Sequence, residues 1–242
     1  MGTGIAQTAS TAGHEVYLYD AYTSQLDKAR KELGSILQRQ VEKERMTSDQ
    51  IQNILKRIHF VEDLTNFGEV GLTIEAVAED LDIKKDVLQR IEGIVTADSY
   101  IATNTSSLSI ASLSNALKKP HRFLGTHFFN PAPVLPLVEI IPGVQTESNV
   151  TGNTHEFMEE WDKAPVIAKD TPGFIVNRVA RPFYGEALRM YEEGMADIPT
   201  IDWAVKELGG FKMGPFELMD FIGNDVNYKV SYTVFESFFY DP

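Results

Sequence analysis

The chain opens on a run of small residues, Gly4-Ile5-Ala6-Gln7-Thr8-Ala9-Ser10-Thr11-Ala12, which predicts a helix. It stops at Gly13, where left-handed backbone costs little. Residues 15–19 (Glu-Val-Tyr-Leu-Tyr) are β-branched or aromatic and predict a short strand that ends at Asp20. Between residues 24 and 57, Leu26, Leu33, Ile36, Leu37, Val41, Ile51 and Leu55 recur at mostly helical spacing. The pattern breaks at Met46-Thr47-Ser48, which predicts two helices, the second capped by Thr47 or Ser48. Further strands are expected at 58–60, 72–77 and 100–103, with a helix over 83–95 after the second of them. Residues 123–129 and 137–141 form a late pair of strands around the proline-rich stretch 130–136. Past Asp170-Thr171-Pro172-Gly173 the period becomes helical, over 174–193 and 201–208. Helix–Gly–strand–Asp units build parallel sheets, so the expected organisation is an α/β Rossmann-type domain at 1–169 and an all-α domain at 170–242.

Composition narrows the function classes. Lys+Arg 22 against Asp+Glu 35 gives 22 − 35 = −13, a net charge that repels a phosphate backbone and argues against nucleic acid as a partner. No apolar run approaches the roughly 18–20 residues of a membrane span, so no membrane partner is expected and the cytoplasm is the default compartment. The absence of cysteine removes thiolate nucleophiles, disulfides and Cys-based metal sites. No His-x-x-x-His-type cluster points to a metal either.

Two features carry candidate chemistry. Gly2-Thr3-Gly4 is either a plain flexible start or the remnant of a phosphate-binding turn. The helix, the strand and Asp20 that follow match the second half of a dinucleotide-binding βαβ unit, in which an acid lies about 20 residues past a Gly-rich turn. If Gly2 is the third glycine of G-x-G-x-x-G, the first strand and the first two glycines would precede residue 1. Asp20 would then hold the adenosine ribose and favour NAD over NADP. The second feature is His127, at the end of an apolar strand and just before the Asn130-Pro131 turn. On its own, a histidine in that setting is more often a satisfied core or turn residue than a catalyst. Glu139, however, stands in the middle of the apolar run 137–141, where an unpaired carboxylate is costly. A hairpin-like return through 132–136 would bring it to His127, fixing one tautomer of the ring for general acid–base work.

Several segments together resemble the 3-hydroxyacyl-CoA dehydrogenase family, in family order and across nearly the whole chain. They are Asn104-Thr105-Ser106-Ser107-Leu108, Gly125-Thr126-His127-Phe128-Phe129-Asn130-Pro131, Leu137-Val138-Glu139, Asp170-Thr171-Pro172-Gly173-Phe174-Ile175-Val176-Asn177-Arg178 and Gly214-Pro215-Phe216-Glu217-Leu218-Met219-Asp220. The resemblance implies an enzyme that oxidises an L-3-hydroxyacyl-CoA with NAD. His127 would be the base, Glu139 its orienting partner, and Ser106 and Asn177 would bond the reacting oxygen. It carries cofactor contacts onto Gly2, Asp20, Glu79, Lys84, Ser106 and Asn130, and a CoA phosphate contact is expected from Lys43. Read without the family, Ser106 is a helix cap, Asn177 a solvent-facing helix residue, and Glu79 and Lys84 part of a solvated helix start. Relative to the family the chain is expected to be truncated at both ends, lacking the first Rossmann strand and later helices, while the full-length form would be a homodimer. Two rival expectations are a cofactor-incompetent fragment and a member of the crystallin-like branch that oxidises a sugar acid such as gulonate.

Overall fold

The computed structural model describes residues 1–238, which divide into two compact units, one up to Asp170 and one from Thr171 onward. In the first unit, α1 (Gly2–Thr11) leads through Gly13, at φ +104°, into β1 (Val16–Tyr19). Next come α2 (Thr23–Glu42) and α3 (Ser48–Arg57). The break between them is held by a capping box in which Thr47 Oγ1 accepts from Gln50 N–H and Gln50 Oε1 accepts from Thr47 N–H. Leu33, Leu37, Ile51, Ile54 and Ile58 form the core under this helical pair.

The remaining strands are β2 (Ile58–Val61), β3 (Leu72–Glu75), β4 (Tyr100–Thr103), β5 (Phe123–Phe128), β6 (Leu137–Pro142) and β7 (Ala164–Ile167). Helix α4 (Leu81–Glu92) lies between β3 and β4, the short α5 (Ile110–Ser114) between β4 and β5, and α6 (Ser148–Glu160) between β6 and β7. Strands β3 to β7 make one sheet in sequence order, parallel throughout except for the antiparallel β5–β6 pair. Strands β1 and β2 form a separate parallel pair, and among the described residues no hydrogen-bonded strand joins β1 to β3. Side chains bridge that interval instead. Val16 of β1 packs on the core built from Ile5, Ala9, Leu124, Val138 and Ile140, and also on the core under α2 and α3.

Strand β7 and helix α6 are among the elements that escaped the hydrophobic pattern. Strand β7 contains Pro165 and only four residues, and it lies at the sheet edge, where a proline is tolerated. Helix α6 carries Gly152 and three Asn or Thr residues in its central turns, so tertiary burial of Val150, Thr154 and Met158 holds it more than propensity does.

The helical unit contains α7 (Val176–Glu192), α8 (Ile198–Glu207), α9 (Pro215–Ile222) and α10 (Asn224–Ser237). Arg181 on α7 binds α10 through Asn227 Oδ1 at 2.6 Å and Ser231 Oγ at 3.0 Å. Asp202 of α8 caps α9, its carboxylate accepting from the N–H groups of Phe216 and Glu217 at 2.9 and 3.0 Å. Gly214 is required by that cap, because a Cβ there would overlap the Asp202 side chain. Gly214→Ala should therefore lower stability by about 1–3 kcal/mol through overpacking. Urea denaturation followed by helical ellipticity tests this, and an unchanged midpoint would mean that the carboxylate can move aside freely.

Candidate active site

Antiparallel pairing of β5 and β6 places His127 directly opposite Glu139. Directly opposed residues of an antiparallel pair share a face with Cβ atoms about 4.5–5.5 Å apart, so the register alone makes the two side chains meet. Nδ1 of His127 lies 2.6 Å from Glu139 Oε2, with the carboxylate fully buried and the ring nearly so. An ionised carboxylate only accepts, so Nδ1 carries the proton and the basic lone pair of the neutral ring is on Nε2. Phe129 packs on the imidazole with ring centroids 4.4 Å apart. Asn104, at the end of β4, accepts from Phe128 N–H at 2.8 Å and so ties the strand end that carries His127 to its parallel neighbour. The sequence reading gave Asn104 no role, although its place directly after a strand and before the Thr-Ser-Ser turn was a usable signal.

Ser106 stands in the turn after β4, and this turn is gripped by Glu79. One carboxylate oxygen, Oε1, accepts from Thr105 Oγ1 at 2.7 Å, from the N–H groups of Ser106 and Ser107 at 2.8 and 3.0 Å, and from Ser107 Oγ at 3.1 Å. Burial by itself would raise the Glu79 pKa. The Thr105 hydroxyl, the Lys84 charge and the Ser106 and Ser107 donors outweigh it and hold the carboxyl below its ordinary range. Farther along the same segment, Asp170 accepts from Ser109 Oγ and from the N–H groups of Ile110 and Ala111, at 2.8–3.0 Å. Asp170 and Glu75 are the further site-supporting carboxylates that the sequence reading did not assign.

Lys84 departs from the solvated helix start that the local sequence suggests. Its side chain is fully buried, and Nζ meets Glu75 Oε1 at 2.8 Å, Glu79 Oε2 at 3.5 Å and Val77 O at 3.5 Å. Gly2 lies where two strand ends converge, since a Cβ built on it would be 3.9 Å from both Leu18 of β1 and Ala76 just past β3. Asp20 is exposed at the end of β1, with one oxygen accepting from Tyr22 N–H. Asn130 is exposed in the turn after β5, and Lys43 is exposed at the C-terminus of α2, where a cation also suits the helix dipole. Asn177 belongs to the first turn of α7 in the helical unit, its carbonyl accepting from Arg181. Among the described residues, no group of His, Asp or Glu side chains is arranged to hold a metal ion, and no helix is long and apolar enough to cross a membrane.

Family models match both units. Residues 1–171 match the 3-hydroxyacyl-CoA dehydrogenase, NAD binding domain, and residues 173–242 match the 3-hydroxyacyl-CoA dehydrogenase, C-terminal domain. The chain belongs to the 3-hydroxyacyl-CoA dehydrogenase family. It is 42% identical over 238 residues to 3-hydroxyadipyl-CoA dehydrogenase of Escherichia coli, covering 98% of this chain and 50% of that protein. It is 38% identical to human mitochondrial hydroxyacyl-coenzyme A dehydrogenase, covering 93% of this chain and 74% of that one. The fold superposes on an E. coli 3-hydroxybutyryl-CoA dehydrogenase structure with a TM-score of 0.97 at 41% identity, covering all of this chain and 51% of that chain. For Mycobacterium tuberculosis FadB2 the TM-score is 0.96 at 35% identity, with 98% and 84% covered. The chain thus spans about half the length of the two E. coli relatives it matches.

The Glu79 grip has a pH signature. Because its folded pKa is depressed, the stability it contributes is fully present above its unfolded value of about 4.3 and is lost as pH falls through the lower folded value. The stability difference between the parent and Glu79→Gln should be constant above about pH 5.3, one unit above that unfolded value, and should close on acidification. Denaturation midpoints measured across this range test the claim, and a gap that widens toward acid would reverse its sign.

Proposed function

We propose that this chain is an NAD-dependent oxidoreductase that interconverts an L-3-hydroxyacyl-CoA and the 3-ketoacyl-CoA, in fatty-acid or related acyl-CoA metabolism. The observation that carries this reading is the buried His127–Glu139 pair at the mouth of a dinucleotide-type sheet. The cofactor fits the residues present. The parallel strand ends of β1 and β3 converge at Gly2, the N-terminus of α1 has no side-chain cap, and the Asp20 carboxylate is available for ribose hydroxyls. When bound, NAD accepts the hydride from C3 of the substrate.

The protein's own part is the proton and its placement. As the C3–H pair leaves, the hydroxyl must lose its proton, and the lone pair on His127 Nε2 takes it while the C3–O bond becomes a carbonyl. The resulting imidazolium sits against Glu139, which stabilises the charge without itself being protonated. In the reductive direction the same imidazolium returns the proton to the oxygen of C3. Ser106 and Asn177 are proposed to bond that oxygen, Glu79, Lys84, Ser106 and Asn130 to line the cofactor site, and Lys43 to meet a CoA phosphate. Pairing of two copies through the helical unit is part of the same reading and is supported by Phe221, Val226 and Tyr228, which are all at least half exposed. The cytoplasm, where free acyl-CoA thioesters occur, is its proposed place of action.

Loss of NADH absorbance with acetoacetyl-CoA as substrate tests the reading, alongside calorimetric titration with NADH. A chain that binds neither would be a cofactor-incompetent member of the family, and one that oxidises gulonate in preference would belong to the sugar-acid branch. His127→Gln should lower turnover by at least about a hundredfold and leave NADH affinity nearly unchanged, since general acid–base catalysis supplies roughly 10²–10⁴. Unaltered turnover would remove His127 from the mechanism. Glu139→Gln should also reduce turnover, because the imidazolium loses its countercharge and the ring loses its fixed tautomer. Parent-like rates in that variant would show the two side chains to be uncoupled.

A further inference from the structure

The return from β5 to β6, residues 130–136, contains Pro131, Pro133 and Pro136, which have no N–H to donate. Its own turn bonds come from Val134 and Leu135, whose N–H groups both donate to Pro131 O at 3.0 Å. The carbonyls of Ala132 and Leu135 are met from outside the return by one side chain. Lys163, half-buried in the link between α6 and β7, donates from Nζ to Ala132 O at 2.6 Å and to Leu135 O at 3.2 Å. The next residue, Ala164, donates its N–H to Pro136 O at 2.8 Å, so the Lys163 side chain and the backbone beside it grip the return at three carbonyls. Burial pulls the Lys163 pKa below its ordinary value, with the Asp162 charge acting in the opposite direction.

The return is also the surface on which α1 starts. Ala132 is buried in one core with Ile5 and Ala9, and a Cβ built on Gly4 would lie 3.3 Å from Pro133 Cδ and 3.5 Å from Ala132 Cβ. The first turn of α1 therefore rests on the segment that Lys163 grips, and Asn130 begins that same segment. His127 is placed by other means, since the β5–β6 register sets it opposite Glu139 without any part of the return. We propose that Lys163 is a positioning residue for the cofactor side of the site: by fixing the 130–136 return it sets Asn130 and the N-terminus of α1 in place, while the acid–base pair stands on its own ladder. The consequence for NADH rests on the dehydrogenase reading, whereas the grip on the return does not. Without the ammonium, the carbonyls of Ala132 and Leu135 turn to water, and the return keeps only its own turn bonds, the Ala164 amide and apolar contact.

The test is amide hydrogen exchange of the cofactor-free 242-residue chain, joined to NADH titration and steady-state kinetics with acetoacetyl-CoA. In Lys163→Met, exchange at Val134 and Leu135 should be at least about tenfold faster, as for a grip weakened by about 1.4 kcal/mol, while Phe128 and Glu139 keep parent rates. NADH affinity should fall by at least about fivefold, with turnover at saturating NADH within about twofold of the parent and an unchanged pH–rate profile. Lys163→Arg keeps the charge and the donors and should restore most of that affinity, and Lys163→Gln serves where the Met variant does not fold. Parent-like exchange at Val134 and Leu135 in whichever variant folds would overturn the proposal. So would faster exchange with NADH affinity unchanged, or a loss of turnover as large as the loss of affinity, which is what general loosening of the unit would give. If the parent chain binds no NADH, the functional reading fails by itself, and exchange at Val134 and Leu135 still decides whether Lys163 holds the return.

Discussion

A carboxylate taken out of water has to be met by a cation or by hydrogen-bond donors, and this chain carries two of them, Glu75 and Glu139, into its sheet. Each is answered by a side chain from a neighbouring element, Lys84 of α4 for the first and His127 of β5 for the second. Those answers decide the layout of the site. Rotating the His127 ring away would break its 2.6 Å contact with the buried Glu139, and extending Lys84 would take the ammonium away from the buried Glu75. Removing one partner of a buried pair is typically worth 3–5 kcal/mol, well above the fraction of a kcal/mol that an exposed pair such as Lys28–Glu32 contributes. The two buried pairs behave as fixed points and the surrounding loops as dependents.

The Glu139 fixed point was legible in the sequence. A glutamate in the middle of Leu137-Val138-Glu139-Ile140-Ile141 demands a partner, and a strand, a short proline-rich return and a second strand leave few places for one. The same logic applies to Glu75, which stands in the apolar run Leu72-Thr73-Ile74-Glu75-Ala76-Val77. Its partner was hidden for a physical reason. Lys84 sits among Asp80, Asp82, Lys85 and Asp86, and helical periodicity gives a lysine in such company a solvated face. Only the packing of α4 against β3 turns it inward. Asp170 was hidden differently, because its three donors lie about sixty residues earlier, and no local pattern links a carboxylate to amides at that separation. The βαβ order, the capping box at Thr47 and the change of period near residue 170 are local signals, and the chain reads as α/β followed by all-α from them alone. Strand β7 and helix α6 are stabilised by what they pack on, and their composition carried little of that.

The interval between β1 and β3 gives the cofactor region a different character from the His127 side. The five-stranded sheet is continuous under His127, Glu139 and Asn104, with backbone pairing on both sides of β5. Around Gly2 the contacts are side-chain packing, with Val16 reaching into both cores. Backbone ladders hold register to a fraction of a residue, whereas apolar packing fixes approach and leaves edges available for further pairing. The acid–base pair therefore stands on the most constrained part of the unit, and Gly2 and Asp20 stand on the part with fewest cross-links.

This division matches what the proposed dehydrogenase reaction would ask of each half. Proton transfer needs the lone pair of His127 placed within hydrogen-bond reach of the reacting hydroxyl, a tolerance of a few tenths of an ångström, and a cross-strand pair in a central antiparallel ladder supplies it. A dinucleotide is larger and is held by many distributed donors, so its site tolerates local adjustment. Ser106 falls between these demands, on a turn with no ladder of its own, while the proposed mechanism has it meet the same oxygen as His127. The chain makes up for the missing ladder with charge, since Glu79 and Asp170 accept from the turn's amides and hydroxyls where a neighbouring strand would otherwise have done so. Charge-assisted bonds to amides are roughly twice as strong as neutral ones, so two carboxylates hold the segment from Thr105 to Ala111 where no strand pairs with it.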